Sequence, residues 1–418
     1  PYVKFQDLTN EMRAFLSTGW YSINQGTFNL FYAFFELGYN LLTSNGRLGY
    51  ITPNNYFTSL AGQSLREFFK NKKCLYKIVD FNHKKVFDAQ TYTAISFLGK
   101  EEAHNILYDR IGESLNPPSF LQNLAFSSIS LDSQMSQKWR LLKSEEQNNI
   151  KTIETVGSPL NKLFDIRVGI ATLKDDLYFV DTENTKSNYY LKNLNGVEYK
   201  IEKSIVRPII KISDFTNQLD LQKNTRSIIF PYTITAGGAV VYTEDYIEKH
   251  FPYCFLYFEA IRDKLESRDK GRGNIDPFYA YGRSQGLARF GTKLLTPTFS
   301  KKPRFFISRN KNSLFCNGYG IFFKQSLEKS GDLFNEDFPF NSEENIEIIQ
   351  KILNSIVMHY YISKTSVSIE GGFPCYQKNF IEKFTIPEFT QKELELLRST
   401  QKPDIIDRFL IKKYNLTI

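Results

Sequence analysis

Four cysteines, three methionines, two tryptophans and four histidines are all that 418 residues hold of those types. Each shortage closes a class of explanation. The cysteines stand singly at Cys74, Cys254, Cys316 and Cys375. Neither a paired zinc spacing nor a disulfide framework is on offer, and a reducing cytoplasm is the expected compartment. The histidines (His83, His104, His250 and His359) are scattered without metal-ligand spacing, so no metal is expected. No run of about 18 or more apolar residues occurs and no leader pattern opens the sequence, so a membrane is not an expected partner. Internal repeats and low-complexity tracts are lacking too.

Apolar residues are plentiful at 41% and aromatics at 15%, enough for two or three domains with real cores. Most of the 37 Phe and 25 Tyr must simply fill those cores. The net charge of +8 is unevenly placed. Between Ile261 and Lys311 stand 13 Lys+Arg against 4 Asp+Glu, a local excess of nine that exceeds the surplus of the whole chain. A polyanion is the natural partner of such a window, because each cation that neutralises a phosphate releases condensed counterions. A solvated charged face is the plain alternative.

The first 110 residues read as alternating helices and strands. Apolar spacing predicts a helix over Phe28 to Leu42, with a Ser-Asn-Gly stop at Ser44 to Gly46. Short strands are expected at Gly49 to Thr52, Tyr76 to Phe81, Thr93 to Leu98 and Ile106 to Tyr108. A helix opened by Ser59, with Leu65, Phe68 and Phe69 on its apolar face, lies between the first two. That order argues for an α/β sheet over residues 1–115. Residues 116–155 are more polar and read as a connecting segment ending in a helix near Glu145. A second, α+β domain is expected over 156–418, with helical periodicity at Asn345 to Ile362 and a terminal helix pair over Gln391 to Tyr414.

Several stretches together resemble a family. Pro1-Tyr2 followed by VKFQDL looks like the tail of an Asn-Pro-Pro-Tyr motif. FNLFYAFFELGYNLLTSNGRLGYITPNNYF, LREFF and VFDAQTYTAISFL resemble the segments beyond that motif in TaqI-like, gamma-class adenine-N6 DNA methyltransferases. PLNKLFDIRVGIATLKDDLYFVD resembles the start of that family's specificity domain, and ILNSIVMHYYISKTSVSIEGGFPCYQKNFIEKFTIP its end. The resemblance implies the C-terminal half of a Rossmann-like S-adenosylmethionine methyltransferase sheet, followed by a DNA target-recognition domain. It implies double-stranded DNA as substrate and leaves room for an associated nuclease domain or subunit, although no Asp…Glu-x-Lys nuclease constellation is evident in this chain.

The implied chemistry needs these residue types. Adenine N6 lies inside the base stack, so the nucleotide must be flipped into a pocket. An aromatic ring replaces the lost stacking at roughly 1–3 kcal/mol per base. By the resemblance, Tyr2 supplies one ring and Phe87 in KVFDAQ a second, with a core position at a strand end as the alternative for Phe87. Pro1 would be the second proline of the motif, whose Asn and first Pro hold the amino group towards the methyl donor. Those two residues, the Gly-rich loop and the acidic ribose partner are expected upstream of Pro1. Proline in place of Met at position 1 points to a fragment. S-adenosylmethionine is thus the implied cofactor, held mainly by residues outside this chain, and the chain alone is expected to be inactive. Asn116-Pro117-Pro118-Ser119 imitates the motif without its aromatic, and a loop turn is expected there.

DNA contacts are expected where charge and aromatics mix. Tyr281, Arg283 and Gln285 lie in YAYGRSQG, where Arg suits guanine edges and Gln suits adenine edges. Lys301, Lys302 and Arg304 are expected to position the duplex through its phosphates, and Arg272 and Lys293 are further expected DNA contacts. Gly372 and Lys378 form a second candidate loop, and the turn from Arg167 to Thr172 a third. Burial of Tyr279 and Tyr281 and pairing of Arg283 with an acid would be the structural alternative. Two other functions stay open: a DNA-binding specificity subunit without chemistry, and an RNA methyltransferase or RNA-binding protein.

Overall fold

The computed structural model describes residues 3, 5–23, 28–88, 91–112, 114–132, 134, 138–268, 275–324, 342–369 and 372–418. Contacts divide the chain into two units. The first runs to Lys151 and includes Ser368–Phe373 and Thr417; the second holds Thr152–Val367, Pro374–Leu416 and Ile418.

In the first unit, α1 (Asn10–Leu16) is capped by the Thr9 hydroxyl, which accepts from Met12 N. α2 (Phe31–Leu41) buries Phe31, Tyr32 and Phe35, the stripe that the apolar spacing predicts. β1 (Arg47–Pro53) leads through α3 (Gln63–Lys72) to β2 (Leu75–Asp80). Leu65, Phe68 and Phe69 form the buried face of α3, and Lys73 ends it in left-handed backbone at φ 46°. Ser59 caps a short 3-10 turn, Leu60–Gly62, just before α3.

β3 (Thr93–Gly99) lies between β1 and β2 and runs antiparallel to both. β1 and β2 therefore point the same way, with α3 as their crossover. β4 (Asn105–Arg110) pairs parallel with β2; after α4 (Pro117–Gln122), β5 (Ser127–Ser130) adds antiparallel to β4. The sheet order is β1-β3-β2-β4-β5. The segment expected as a connector thus contributes an edge strand, and the division falls within α5 (Ser144–Thr155). Asn116 opens α4 as its N-cap, its side chain accepting from Ser119 N. The expected turn is the start of a helix, with the prolines at positions that need no N–H partner.

Aromatic rings dominate this core. Phe35 meets Phe69 at 5.2 Å and Tyr56 meets Trp139 at 6.4 Å, both edge-on. Each such buried ring contributes roughly 1.5–3 kcal/mol. Among them Arg66 is fully buried, donating to Tyr56 O and Ser59 O.

The second unit opens with β6 (Ser158–Pro159), α6 (Leu160–Leu163) and β7 (Phe164–Val168), and then α7 (Asp175–Tyr178) runs into β8 (Phe179–Asp181). β9 (Thr185–Lys186), β10 (Tyr189–Leu194) and β11 (Val197–Glu202) form a meander. β12 (Val206–Lys211), α8 (Gln218–Gln222) and β13 (Arg226–Ile229) lead to the hairpin of β14 (Tyr232–Thr235) and β15 (Gly238–Val241). Three helices come next, α9 (Glu244–His250), α10 (Pro252–Ala260) and α11 (Arg262–Glu266). β16 (Lys293–Pro297), β17 (Phe306–Ser308), β18 (Leu314–Cys316) and β19 (Gly318–Phe323) complete two four-stranded sheets, β17-β16-β19-β7 and β18-β12-β13-β8.

The single helical stretch expected over Asn345 to Ile362 is two helices, α12 (Ile346–Leu353) and α13 (Ile356–Thr365). Asn354 and Ser355 break it: Asn354 spends its side chain on Phe305 N and O, and Ser355 is the N-cap position of α13. α14 (Lys378–Ile381) precedes the terminal pair, α15 (Gln391–Ser399) and α16 (Pro403–Lys413). α15 carries a complete capping box between Thr390 and Glu393. Among the described residues no helix is long and apolar enough to cross a membrane, and no three side chains are grouped to hold a metal ion.

Candidate functional site

Ligands of α/β sheets gather outside the carboxyl ends of parallel strands. In the first unit those ends are Pro53 of β1, Asp80 of β2 and Arg110 of β4. Asn54 follows Pro53 and donates through Nδ2 to Asp80 Oδ1 at 3.1 Å and to Asn82 O at 3.0 Å. The same Asp80 oxygen accepts from Asn82 N at 2.8 Å, and its other oxygen accepts the Tyr108 hydroxyl at 2.8 Å. Burial holds the Tyr108 phenol well above its ordinary pKa and the Asp80 charge adds to it, so Tyr108 stays a neutral donor. Three strands are thereby tied through one buried carboxylate.

Asn82 takes left-handed backbone, φ 50°, and turns the chain out of β2. Phe81 stays in the core, while Phe87, further along the loop, is 41% exposed. The alternative of a core position therefore does not describe Phe87. Gly372 joins the same unit. Its φ is +73°, and a Cβ there would come 3.2 Å from His83 Nε2, so this candidate residue lies against the loop that leads to Phe87. Pro1 and Tyr2 lie outside the described residues.

A second group forms in the other unit, where two segments interlock. Gly282 N donates to Thr172 O and Arg283 N to Ala171 O, each at 3.1 Å, and Gln285 Nε2 donates to Gly169 O at 3.1 Å. Gly286 has φ +74°, and a Cβ there would sit 3.0 Å from the Gly169 carbonyl carbon, so the backbones touch where a side chain would wedge them apart. The Arg167–Thr172 turn and the Arg283–Gln285 stretch, separate candidates in the sequence, are one surface. Arg167, Arg283 and Gln285 are exposed on it. The Arg283 guanidinium donates to Gly282 O at 3.0 Å.

Beneath that surface lies a buried arginine. Arg268 is 3% exposed and donates to the carbonyls of Leu265, Thr172, Phe278 and Ala280 and to the Tyr178 hydroxyl. It ties both segments to α11 from below.

A third group gathers around Lys301 and Lys302, both exposed. Ser300 N donates to Pro374 O at 3.2 Å and Tyr376 N to Thr298 O at 2.8 Å, which brings this turn beside the exposed Lys378.

Several expected DNA contacts need correction. Tyr281 is a core residue, 4% exposed, with its hydroxyl on Ile229 O at 2.6 Å. Thr172 is 1% exposed and staples the start of α7 through Asp175. Lys293 is fully buried in β16, its ammonium donating to Gly291 O at 3.0 Å and Asn310 O at 3.1 Å, and burial lowers its pKa to about 8. Arg304 is spent on Ser300 Oγ and Phe215 O, holding the Lys301–Lys302 turn in shape. Arg272 lies outside the described residues. The charge surplus of the window is also partly neutralised in place. Arg262 lies 2.5 Å from Glu259, Arg309 2.9 Å from Glu347, and Lys311 3.8 Å from Glu343.

Asn54, Asp80, Asn82 and Arg268 were not singled out by the sequence patterns. For the first three a signal existed: Asn after a strand-ending Pro, and Asp-Phe-Asn at the end of the next parallel strand.

Residues 1–87 match the family model described as Eco57I restriction-modification methylase. Over 421 residues the chain is 24% identical to the type II restriction enzyme and methyltransferase RM.Eco57I of Escherichia coli, covering 93% of this chain and 39% of that protein. It is 22% identical over 419 residues to the type II methyltransferase M.BanIII of Aneurinibacillus aneurinilyticus, covering 90% of this chain and 67% of that protein. Among solved structures, the type IIL restriction-modification enzyme MmeI in complex with DNA superposes with a TM-score of 0.54 at 12% identity. That match covers 100% of this chain and 54% of that one, and it speaks to the fold. The chain thus spans about two fifths of RM.Eco57I and two thirds of M.BanIII, and along nine tenths of its own length it is similar to type II restriction-modification methyltransferases.

Proposed function

We propose that this chain forms part of a site-specific DNA adenine-N6 methyltransferase of a restriction-modification system. The observation that carries the reading is Phe87: an exposed ring on the loop leaving the carboxyl end of β2, in a chain whose first 87 residues match a restriction-modification methylase model. An exposed ring there suits a flipped base that has lost its stacking neighbours. The Asn54–Asp80–Asn82 knot fixes where the loop departs. Pro1 and Tyr2 would complete the pocket as the end of the Asn-Pro-Pro-Tyr motif. The five-stranded sheet, with β3 inserted antiparallel, is proposed as the C-terminal half of a Rossmann-like methyltransferase sheet.

The second unit is proposed as the target-recognition domain. Arg283 and Gln285, with Arg167, would read base edges. Lys301, Lys302 and Lys378 would hold phosphates, which sets register without reading sequence. S-adenosylmethionine would supply the methyl group. The described residues offer no Gly-rich strand-to-helix turn to cradle it, so no residue of this chain is assigned to the donor and no step is derived through it. RM.Eco57I is by name both restriction enzyme and methyltransferase, and a nuclease partner for this chain belongs to the same proposal.

The test is methylation of plasmid DNA by the intact protein, with N6-methyladenine located by sequencing. Methylation of one short motif, lost in a folded Phe87→Ala variant, is the expected result. Modification of cytosine or of RNA, or no modification at all, would overturn the reading.

A further inference from the structure

One carboxylate in the recognition surface sits between two arginines. Asp165 and Arg167 are two apart on β7, so their side chains leave the same face of that strand. Among the described residues β7 is the edge of its sheet, paired with β19 in the order β17-β16-β19-β7. Arg167 Nε lies 2.8 Å from Asp165 Oδ1 and 2.9 Å from Oδ2. From the other segment, four residues after Gln285, Arg289 brings Nη1 to 3.4 Å from Asp165 Oδ2. The side chains of Arg167 and Arg289 are 45% and 48% exposed, and that of Asp165 is 28% exposed. Val168 and Phe290, beside the two arginines in sequence, are exposed as well.

An exposed ion pair of this kind adds little stability, with a median of about 0–1 kcal/mol. Its effect lies in geometry and charge. The acid engages Arg167 through Nε with both carboxylate oxygens, which fixes the guanidinium beside Asp165. An arginine held in this way loses less freedom when it makes a bidentate contact to guanine O6 and N7. The same carboxylate cancels one of the two positive charges, so the pair draws less strongly on the phosphates of an arbitrary duplex.

We propose that Asp165 is a specificity-determining positioning residue that holds Arg167 and Arg289 as a pair for reading guanine edges while suppressing their non-specific attraction to phosphate. Arg289 is thereby a further base-contacting residue. This inference rests on the reading of the second unit as the DNA-recognition domain.

The test compares Asp165→Asn, Asp165→Glu and wild-type intact protein on two duplexes across a salt series. One duplex carries the methylated motif found by sequencing, and the other has equal length with the motif scrambled. For Asp165→Asn, binding to the scrambled duplex should rise by up to about eightfold at 0.1 M salt, and its salt slope should steepen by about 0.9. The ratio of motif to scrambled affinity should fall, and Asp165→Glu should restore much of it. An unchanged ratio in Asp165→Asn, or equal weakening on both duplexes with a lowered melting temperature, would overturn the inference. Failure of the wild-type protein to prefer the motif would instead remove the recognition-domain reading beneath it.

Discussion

Lys293→Met separates a buried lysine from a DNA-binding one. The Lys293 side chain is fully buried in β16, with backbone carbonyls as its acceptors. Burial lowers its pKa from the ordinary 10.5 to about 8. Keeping the ammonium charged in the folded state at neutral pH therefore costs about 3 kcal/mol. Methionine removes that cost but leaves Gly291 O and Asn310 O without their donor, at about 1–3 kcal/mol each. The net change at pH 7 is small. The pH dependence is not. Between the folded and unfolded pKa values, from about 8 to about 10.5, the unfolded chain binds more protons than the folded one. Stability tied to this group therefore rises with pH across that window and is lost as pH falls through 8. Relative to Lys293→Met, the wild type should gain about 1.4 kcal/mol per pH unit there. Urea titrations of both proteins from about pH 7 to pH 10 measure the difference directly. Parallel stability profiles, or a shallower salt dependence of DNA binding in the variant, would refute the assignment of Lys293 to the core.

Three further outcomes are expected. Arg268→Met should destabilise by at least about 3–5 kcal/mol in urea titration, and Arg268→Lys should recover only part of it, because one ammonium cannot serve carbonyls spread around the edge of the guanidinium. Lys301→Ala and Lys302→Ala should weaken binding to all duplexes alike and make the salt slope shallower by about one each, whereas Arg283→Ala or Gln285→Ala should cost roughly 1–3 kcal/mol mainly on the cognate motif; identical behaviour of the two sets would contradict the division of roles. Gly372→Ala forces a side chain into φ +73° against His83, a strain of about 1–2 kcal/mol, and should lower methylation with little change in the cooperativity of urea unfolding.

Local pattern carried much of the first unit. The spacing of Phe31, Tyr32 and Phe35 is enough to define α2, and the short apolar runs ending at Pro53 and Asp80 are enough to define β1 and β2. What escaped depends on distant partners. β5 is four residues of Ser-Ser-Ile-Ser with one buried side chain, Ile129, so its membership of the sheet comes from β4 and not from its own composition. Asp80 meets Asn54 across 26 residues and Tyr108 across 28, a separation that periodicity does not encode. Charge counting treats every Lys and Arg as surface. Arg66, Arg268 and Lys293 are buried because backbone carbonyls satisfy them, and nothing in a residue count distinguishes those from Lys301. Gly282 and Gly286 meet the Gly169–Thr172 turn of the same chain, a contact between distant segments that local pattern does not encode.

The central claim is that a base displaced from the duplex is received at the carboxyl end of β1 and β2, on the loop that carries Phe87. Photocrosslinking tests it most directly. A duplex with 5-iodouracil in place of the target adenine, irradiated in complex with the intact protein, reports which ring lies against the displaced base. The adduct is expected to map to Phe87 or to Tyr2, and Phe87→Ala should shift or abolish it. An adduct confined to the segments around Arg167 or Arg283 would contradict the claim.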